Sequence, residues 1–376
     1  MADWPAGERA RIGELVGDGA AAWDATGEIP SALLRELAGR GLLCAQIPDA
    51  YGGLGASSAD NGELTAYVGG LCSSLRSVMT SQGMAAWTIQ RLGDAAQRED
   101  YLPQLASGRL AAVGFSEPGA GSDLGAMATE LRREGDEVVI TGRKSWVTAA
   151  YYADLLVVFG RYEQGAAAVV VPASAPGVRI ERVPDPLGCR AAGHANVHLS
   201  SVRLPAGAVL GGGAQFLPLL VTTALSYGRI SVAWGCVGIL RACLRAAAGH
   251  AATREQFGRP LGEHQLVARH LANLLIGEQV STRVCEHASR CWDEGSPDVV
   301  TATVLAKQVS AGQAAVGAAA AVQVLASAGA RDGHVVARAY RDAKLMEIIE
   351  GSNEISELML ARHALAGAAQ PGGEEP

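Results

Sequence analysis

The spacing of apolar positions along the chain changes twice. Over residues 6 to about 108 they recur every three or four residues. Leu33, Leu34, Leu37 and Leu42 share one face, Gly39 and Gly41 end it, and helical spacing resumes over residues 62–93 and 101–108. The stretch IPDAYGGLGAS, residues 47–57, reads as a turn-rich loop. From Leu110 the runs become short and β-like, at residues 113–115, 137–140, 155–159, 167–171, 178–183 and 196–199, with Gly, Pro and Asp between them. From about Gln215 the helical period returns and continues to Ala366, and Gly249, residues 295–297 and residues 328–333 are expected to mark bends between long helices. The pattern predicts a mainly α protein with an inserted β-domain. A helical N-terminal domain covers 1–110, a barrel-like β-domain 111–214, a four-helix bundle 215–366 and a polar, disordered tail 367–376.

One late stretch, RDAKLMEIIEGSNEISELMLAR (residues 341–362), concentrates the chemistry. Leu345, Met346, Ile348 and Ile349 predict one buried helical stripe, and Ile355, Leu358, Met359 and Arg362 a second. Gly351 breaks the run, and Ser352 or Asn353 can cap the second helix. Glu350 then falls in the last turn of the first helix, where the negative end of the helix dipole and apolar neighbours both raise a carboxyl pKa, as a general base requires. Taken alone, the stretch supports no more than an exposed carboxylate at a helix end.

Composition narrows the class. The 376 residues are 49% hydrophobic, 5% aromatic and 18% charged, and the net charge of -7 leaves no electrostatic footprint for nucleic acid. No basic cluster points to a membrane surface, the N-terminus has no signal-peptide core, and no apolar run is expected to reach the length of a membrane span. Seven cysteines without a Cys-x-x-Cys pair fit reduced thiols in a cytoplasm. Cys285, His287 and Cys291 lack a usual zinc spacing, so no metal is expected. His194 and His198 read as surface or packing residues.

Three further stretches could hold a ligand. VGFSEPGAGSD, residues 113–123, ends a strand in a tight turn whose backbone N–H groups and Ser116 and Ser122 hydroxyls could bind a phosphate or a flat polar ring. TGRKSWVT, residues 141–148, reads as a hairpin turn in which Trp146 could wall a ring system and Thr148 donate a hydrogen bond. REQFGRPLGEHQ, residues 254–265, joins a basic residue and an aromatic at a corner between helices. No GxGxxG fingerprint and no Walker A motif occurs.

In this order, SEPGAGSD, GRKSWVT, YGRISVAWGCVG, REQFGRPLGEHQ and RDAKLMEIIEGSNEI make the chain resemble the acyl-CoA dehydrogenases, from the N-terminal helices to about Ala366. The resemblance implies the three-domain fold, FAD as cofactor and a homo-oligomer, dimer or tetramer, with each FAD touched by a neighbouring subunit. It implies that Phe115, Ser116, Gly121 and Ser122 contact the flavin and its pyrophosphate, with Ser122 also facing the substrate's pantetheine arm, and that Trp146 and Thr148 wall the isoalloxazine. Arg254, Gln256 and Phe257 would reach a neighbouring subunit's FAD, and Gln323 the same region. Ala326 and Ser327 stand where the family has Gly-Gly. Ser352 and Glu354 would lie near the adenine end, with Arg229 and Gly351 on the substrate side. Glu350 matches the catalytic base. A second branch of the family carries its base on an earlier helix, where this chain has Gly228.

Within the family the chain resembles the acyl-carrier-protein dehydrogenases that make hydroxymalonyl and methoxymalonyl extender units for polyketides. This implies a three-carbon hydroxyacyl thioester on a carrier protein as substrate. The alternatives are a short-chain acyl-CoA dehydrogenase of general catabolism, a flavin-dependent oxidase or monooxygenase of the same fold, and a non-enzymatic flavoprotein. The electron acceptor is open. Met84 and Trp87 are expected on the helix that closes the acyl pocket.

Overall fold

The computed structural model describes residues 6–368. Six helices form the N-terminal part: α1 (Ala6–Val16), α2 (Gly19–Thr26), α3 (Ser31–Gly39), α4 (Ser58–Leu71), α5 (Ser73–Leu92) and α6 (Ala95–Ala106). α4 and α6 start on side-chain caps. Ser57 Oγ accepts from Asp60 N–H at 3.0 Å, and Asp94 and Gln97 close a capping box. Leu33, Leu34, Leu37 and Leu42 are all buried. α5 is buried along almost its whole length, which explains its run of small side chains.

The middle part is one seven-stranded sheet of β1 (Ala111–Gly114), β2 (Glu130–Glu134), β3 (Glu137–Val147), β4 (Leu155–Tyr162), β5 (Gly165–Pro172), β6 (Val178–Arg182) and β7 (Ala195–Pro205). The order is β1-β4-β2-β3-β7-β6, with β5 antiparallel to β4 along its full length. The β-like runs read from sequence each fall on or beside a strand, but β2, with the sequence ELRRE, was not expected. Only its Leu131 is buried, so it carries too little apolar signal. A second difference matters for the site. Residues 141–148 do not make a hairpin turn: β3 runs on to Val147, with irregularities after Ile140 and after Lys144.

The C-terminal part holds α7 (Leu217–Thr253), the hairpin β8 (Glu255–Gln256) with β9 (Arg259–Pro260), α8 (Gln265–Asp293), α9 (Val299–Leu325), α10 (Val335–Met346) and α11 (Asn353–Ala368). Gly249 does not bend the chain. It lies inside α7, where nothing stands within 4 Å of a Cβ built on it, and the corner comes after Thr253. α7 is the central helix. Gly238 lets it approach α4 so closely that a Cβ there would fall on the Ala66 carbonyl oxygen. By length and mean hydropathy, α7 and the segment Val299–Ala328 are each apolar enough to cross a membrane, contrary to the sequence expectation; in α7 that stretch is 78% buried inside the protein. α11 reaches Ala368, two residues into the expected tail, and 369–376 lie outside the described residues.

Candidate active site

A cavity of about 770 Å³ lies where α5, the turn after β1, the end of β3, the first half of α7 and the α10–α11 link meet. Of the residues singled out in the sequence, Phe115, Ser116, Gly121, Ser122, Trp146, Thr148, Arg229, Glu350, Gly351 and Ser352 all line it.

Glu350 reaches the cavity by a route that differs from the expected one. α10 ends at Met346, and residues 347–350 form a separate turn in which Ile348 and Ile349 N–H both donate to Leu345 O at 3.0 Å. Met346 is buried but Ile348 is 54% exposed, so the predicted stripe stops with the helix. Leu358 is also exposed, which thins the second stripe. Glu350 adopts φ +57° and Gly351 φ +89°. A glutamate in the left-handed region is strained, and here the strain turns its side chain inward. Ser352 Oγ then accepts from Ile355 N–H at 3.4 Å to start α11.

The carboxylate packs against α7 and α5. A Cβ built on Gly228 would lie 2.5 Å from Glu350 Oε2 and 2.8 Å from Met84 Sδ. The residue keeps some exposure to the cavity while its carboxylate lies deep. Burial raises the carboxyl pKa above the ordinary range, opposed by the charges of Arg229, Lys307 and Arg76. The cause is burial, not the end of a helix dipole, because α10 has finished four residues earlier. Arg229, only 4% exposed, donates from Nε to Glu350 O at 3.2 Å. Among the described residues no acceptor takes the Glu350 N–H.

The opposite wall comes from the sheet. After Lys144 the β3–β7 register slips by one residue, since Lys144 faces Val197 and Val147 faces Ala195. The slip gives Trp146 φ +55° and leaves its indole 54% exposed at the cavity. The backbone N–H of Trp146 donates to Asn196 Oδ1 at 3.3 Å. Lys144 turns the other way, fully buried, and donates to Glu117 Oε1 at 2.7 Å and Phe115 O at 3.0 Å. Glu117 also accepts from the N–H groups of Ala128 and Thr129, at 2.6 and 3.0 Å. This buried pair braces the turn at residues 115–122 from behind. Phe115 stacks on Phe159 at 4.1 Å between ring centres.

Other expected residues are not brought here. Arg254, Gln256 and Phe257 stand exposed around the β8–β9 hairpin, with Phe257 at 96%. Gln323 is exposed on α9 and Glu354 on the first turn of α11. Trp87 does not line the cavity; it packs on Trp292 at 4.5 Å and donates to Thr223 O at 3.1 Å. Met84 does line it.

Sequence reasoning missed three residues. His194, read as a surface or packing residue, is buried in the cavity wall, 3.2 Å from Thr148 Oγ1 through Nδ1, and burial and Arg76 push its pKa down to about 4. Lys307 on α9 is fully buried and donates to Gly351 O at 2.7 Å, Asn353 Oδ1 at 3.1 Å and Glu347 O at 3.3 Å, which ties both ends of the Glu350 turn. Arg76 on α5 is 1% exposed and lines the cavity. A signal for two of them was readable: Arg76 is the only charged residue between Glu63 and Arg91, and Lys307 the only one between Asp298 and Arg331.

A helical domain, a curled sheet and a helical bundle that enclose the unpaired carboxylate of Glu350 beside an exposed indole define a flavin-dependent acyl-thioester dehydrogenase. The chain belongs to the acyl-CoA dehydrogenase family of FAD-dependent oxidoreductases. The family's N-terminal, middle and C-terminal domains match residues 9–109, 112–202 and 219–365. The human mitochondrial short-chain specific acyl-CoA dehydrogenase is 30% identical over 89% of this chain and 83% of its own. Among solved structures, FkbI "for Biosynthesis of Methoxymalonyl Extender Unit of Fk520 Polyketide" is 65% identical with a TM-score of 0.92, over 95% of this chain and 99% of that one. A glutaryl-CoA dehydrogenase from Mycobacterium smegmatis in complex with FADH2 is 25% identical with a TM-score of 0.88, over 97% and 96%.

The wall fits a flavin. The exposed indole of Trp146 offers a flat face, the buried His194 Nε2 has no hydrogen-bond partner among the described residues, and a Cβ on Gly119 or Gly121 would meet nothing within 4 Å. A flat ring with a polar edge meets this combination of face, unpartnered nitrogen and open turn.

Proposed function

We propose that the protein oxidises a short, oxygen-bearing three-carbon acyl group carried on the phosphopantetheine of an acyl carrier protein, in the making of a methoxymalonyl-type extender unit, with Glu350 as base. The observation that carries the base assignment is the Glu350 carboxylate, buried against Gly228 in the cavity. The likeness to FkbI over nearly the full length of both chains supports the substrate.

The chain's own groups divide the work. Glu350 takes the proton from the carbon next to the thioester carbonyl, and its raised pKa makes it a stronger base than an exposed glutamate. The same residue's uncommitted N–H is available to the thioester oxygen as charge develops there. Arg229 and Lys307 hold the turn that presents both groups. Trp146, Thr148 and the turn at residues 115–122 would hold FAD, which when bound accepts the hydride from the neighbouring carbon.

The test is to mix the FAD-loaded protein anaerobically with acyl-CoAs and with glyceryl and related carrier-protein thioesters, and to follow loss of the flavin's colour. Bleaching by the carrier-protein thioester, abolished in Glu350→Gln with FAD retained, is the expected result. Normal bleaching in Glu350→Gln overturns the base assignment. Preference for plain short-chain CoA esters would favour general catabolism, a reading supported by the human short-chain relative. Rapid productive reoxidation in air would favour an oxidase.

A homo-oligomer belongs to the same proposal. Arg254, Gln256 and the almost fully exposed Phe257 lie outside their own cavity, as residues that complete a neighbouring subunit's cofactor site would. Their substitution is expected to weaken FAD retention.

A further inference from the structure

His194 is a buried titratable group in the cavity wall to which the chemistry above gives no task. It stands just before β7, is 7% exposed, and its ring centre lies 5.8 Å from that of Trp146. Gly193 holds the chain ahead of it at φ +66°, where a Cβ would lie 2.5 Å from the Tyr152 ring.

The two ring nitrogens have unlike settings. Nδ1 lies 3.2 Å from Thr148 Oγ1, and Nε2 is buried without a partner among the described residues. Burial and the charge of Arg76 hold the pKa down to about 4, so at neutral pH the ring carries a single N–H. Placed on Nε2, that proton would be a dry donor with no acceptor, and the Thr148 hydroxyl would commit its only hydrogen to Nδ1. Placed on Nδ1, it makes a hydrogen bond, and Nε2 is left with a lone pair alone. An orphaned buried donor is the less favourable and rarer of the two. The Nδ1–H therefore donates to Thr148 Oγ1, which leaves the hydroxyl's own hydrogen free. Thr148 is half-buried on the cavity wall, and its hydroxyl has no other partner among the described residues. Ser81 Oγ donates to Thr148 O at 2.9 Å and pins the backbone there from α5. The free hydrogen is thus directed into the cavity.

We propose that His194 is a positioning residue: protonated on Nδ1, it fixes the Thr148 hydroxyl as a hydrogen-bond donor to the polar edge of the flavin ring. The proposal rests on the reading of this wall as the flavin site and adds what sets the direction of that contact. A threonine hydroxyl without such a neighbour can rotate between donating and accepting. A donor fixed in advance favours the electron-rich reduced ring over the oxidised one.

NMR of the imidazole nitrogens in FAD-loaded protein tests the first half. The His194 ring should be neutral with its proton on Nδ1, and a proton on Nε2 overturns the proposal. A double-mutant cycle on FAD affinity and flavin reduction potential tests the second half. His194→Phe, which keeps a flat ring, and Thr148→Val, which keeps the shape, should each weaken FAD binding about three- to tenfold. Each should also lower the two-electron potential by up to about 30 mV, the equivalent of a tenfold change. Both substitutions remove one contact, so the double variant should be no worse than either single one. Additive losses overturn the proposal, since His194 would then act by packing alone. Should His194→Phe fold poorly, His194→Asn, whose amide N–H can stand where Nδ1–H stood, should keep the wild-type potential. A fall to the Thr148→Val value overturns the proposal. A protein that takes up no FAD overturns the flavin reading and this proposal with it, an outcome told apart by the missing flavin absorbance. These readouts need no substrate and no proton abstraction, so they stand apart from the Glu350→Gln bleaching test.

Discussion

Glu350 is where backbone and chemistry meet most sharply. Glu350→Gln should lower turnover about 10²- to 10⁴-fold, measured by anaerobic flavin reduction. The acid limb of kcat/KM should lie above the usual carboxylate range, with activity rising as pH increases, because the base must be ionised and burial has raised its pKa. Removing a nearby positive charge in Arg229→Leu should move that limb to still higher pH; a shift the other way contradicts the assignment. Stability carries the matching sign. A carboxyl whose pKa is raised on folding contributes stability below its unfolded value, and loses it as pH rises through the folded value. Glu350→Gln should therefore melt at a higher temperature than wild type near neutral pH, and calorimetry should show the difference fade in acid. The sequence made this residue legible as a carboxylate at a glycine break. It did not show the left-handed turn, because φ at position 350 is imposed by Lys307 and Arg229 from distant helices. Yet the cations themselves had a readable signature. Arg76, Arg229 and Lys307 are each the lone charge in a long apolar helical stretch, and all three act on Glu350.

Among the elements, helices were easier to read than strands or corners. Long amphipathic or uniformly apolar periods identified α3, α5, α7 and α9, whereas β2 buries one leucine and hid in charge. The end of β3 reads as a turn in the sequence because Gly142 and Ser145 are turn-forming residues, and the true local event is a one-residue slip that no period reveals. The end of α9 carries a testable strain. Ala326, where the family resemblance would have a glycine, adopts φ +51° and ψ -131°, a region that favours glycine. Ala326→Gly should raise stability by about 1 kcal/mol, read from thermal melts, because it removes the clash of a Cβ in that conformation.

For the whole molecule, the three-part order was visible from the change of period alone, and the cavity at the junction of the parts was not. Its walls come from six separate stretches of chain, and their convergence depends on packing at close backbone approaches such as Gly238 on Ala66. Gly238→Leu should abolish that approach and destabilise the protein by more than about 3 kcal/mol, with loss of bound flavin on heating. The exposed hairpin is a prediction for the assembly. Phe257→Ala and Arg254→Ala should each raise the FAD dissociation constant about tenfold, and light scattering should show whether subunit association falls with it.

Gly228 and Glu350 share one volume, although 122 positions separate them in the chain. That volume has two covalent addresses and room for a single tenant. The reaction therefore requires an occupant, not a residue number. Leaving position 350 without a side chain and building the acid outward from 228, as in G228E/E350G, should return measurable flavin reduction to the otherwise inert E350G chain, whereas G228E alone should crowd two acids into one space and lose both turnover and stability.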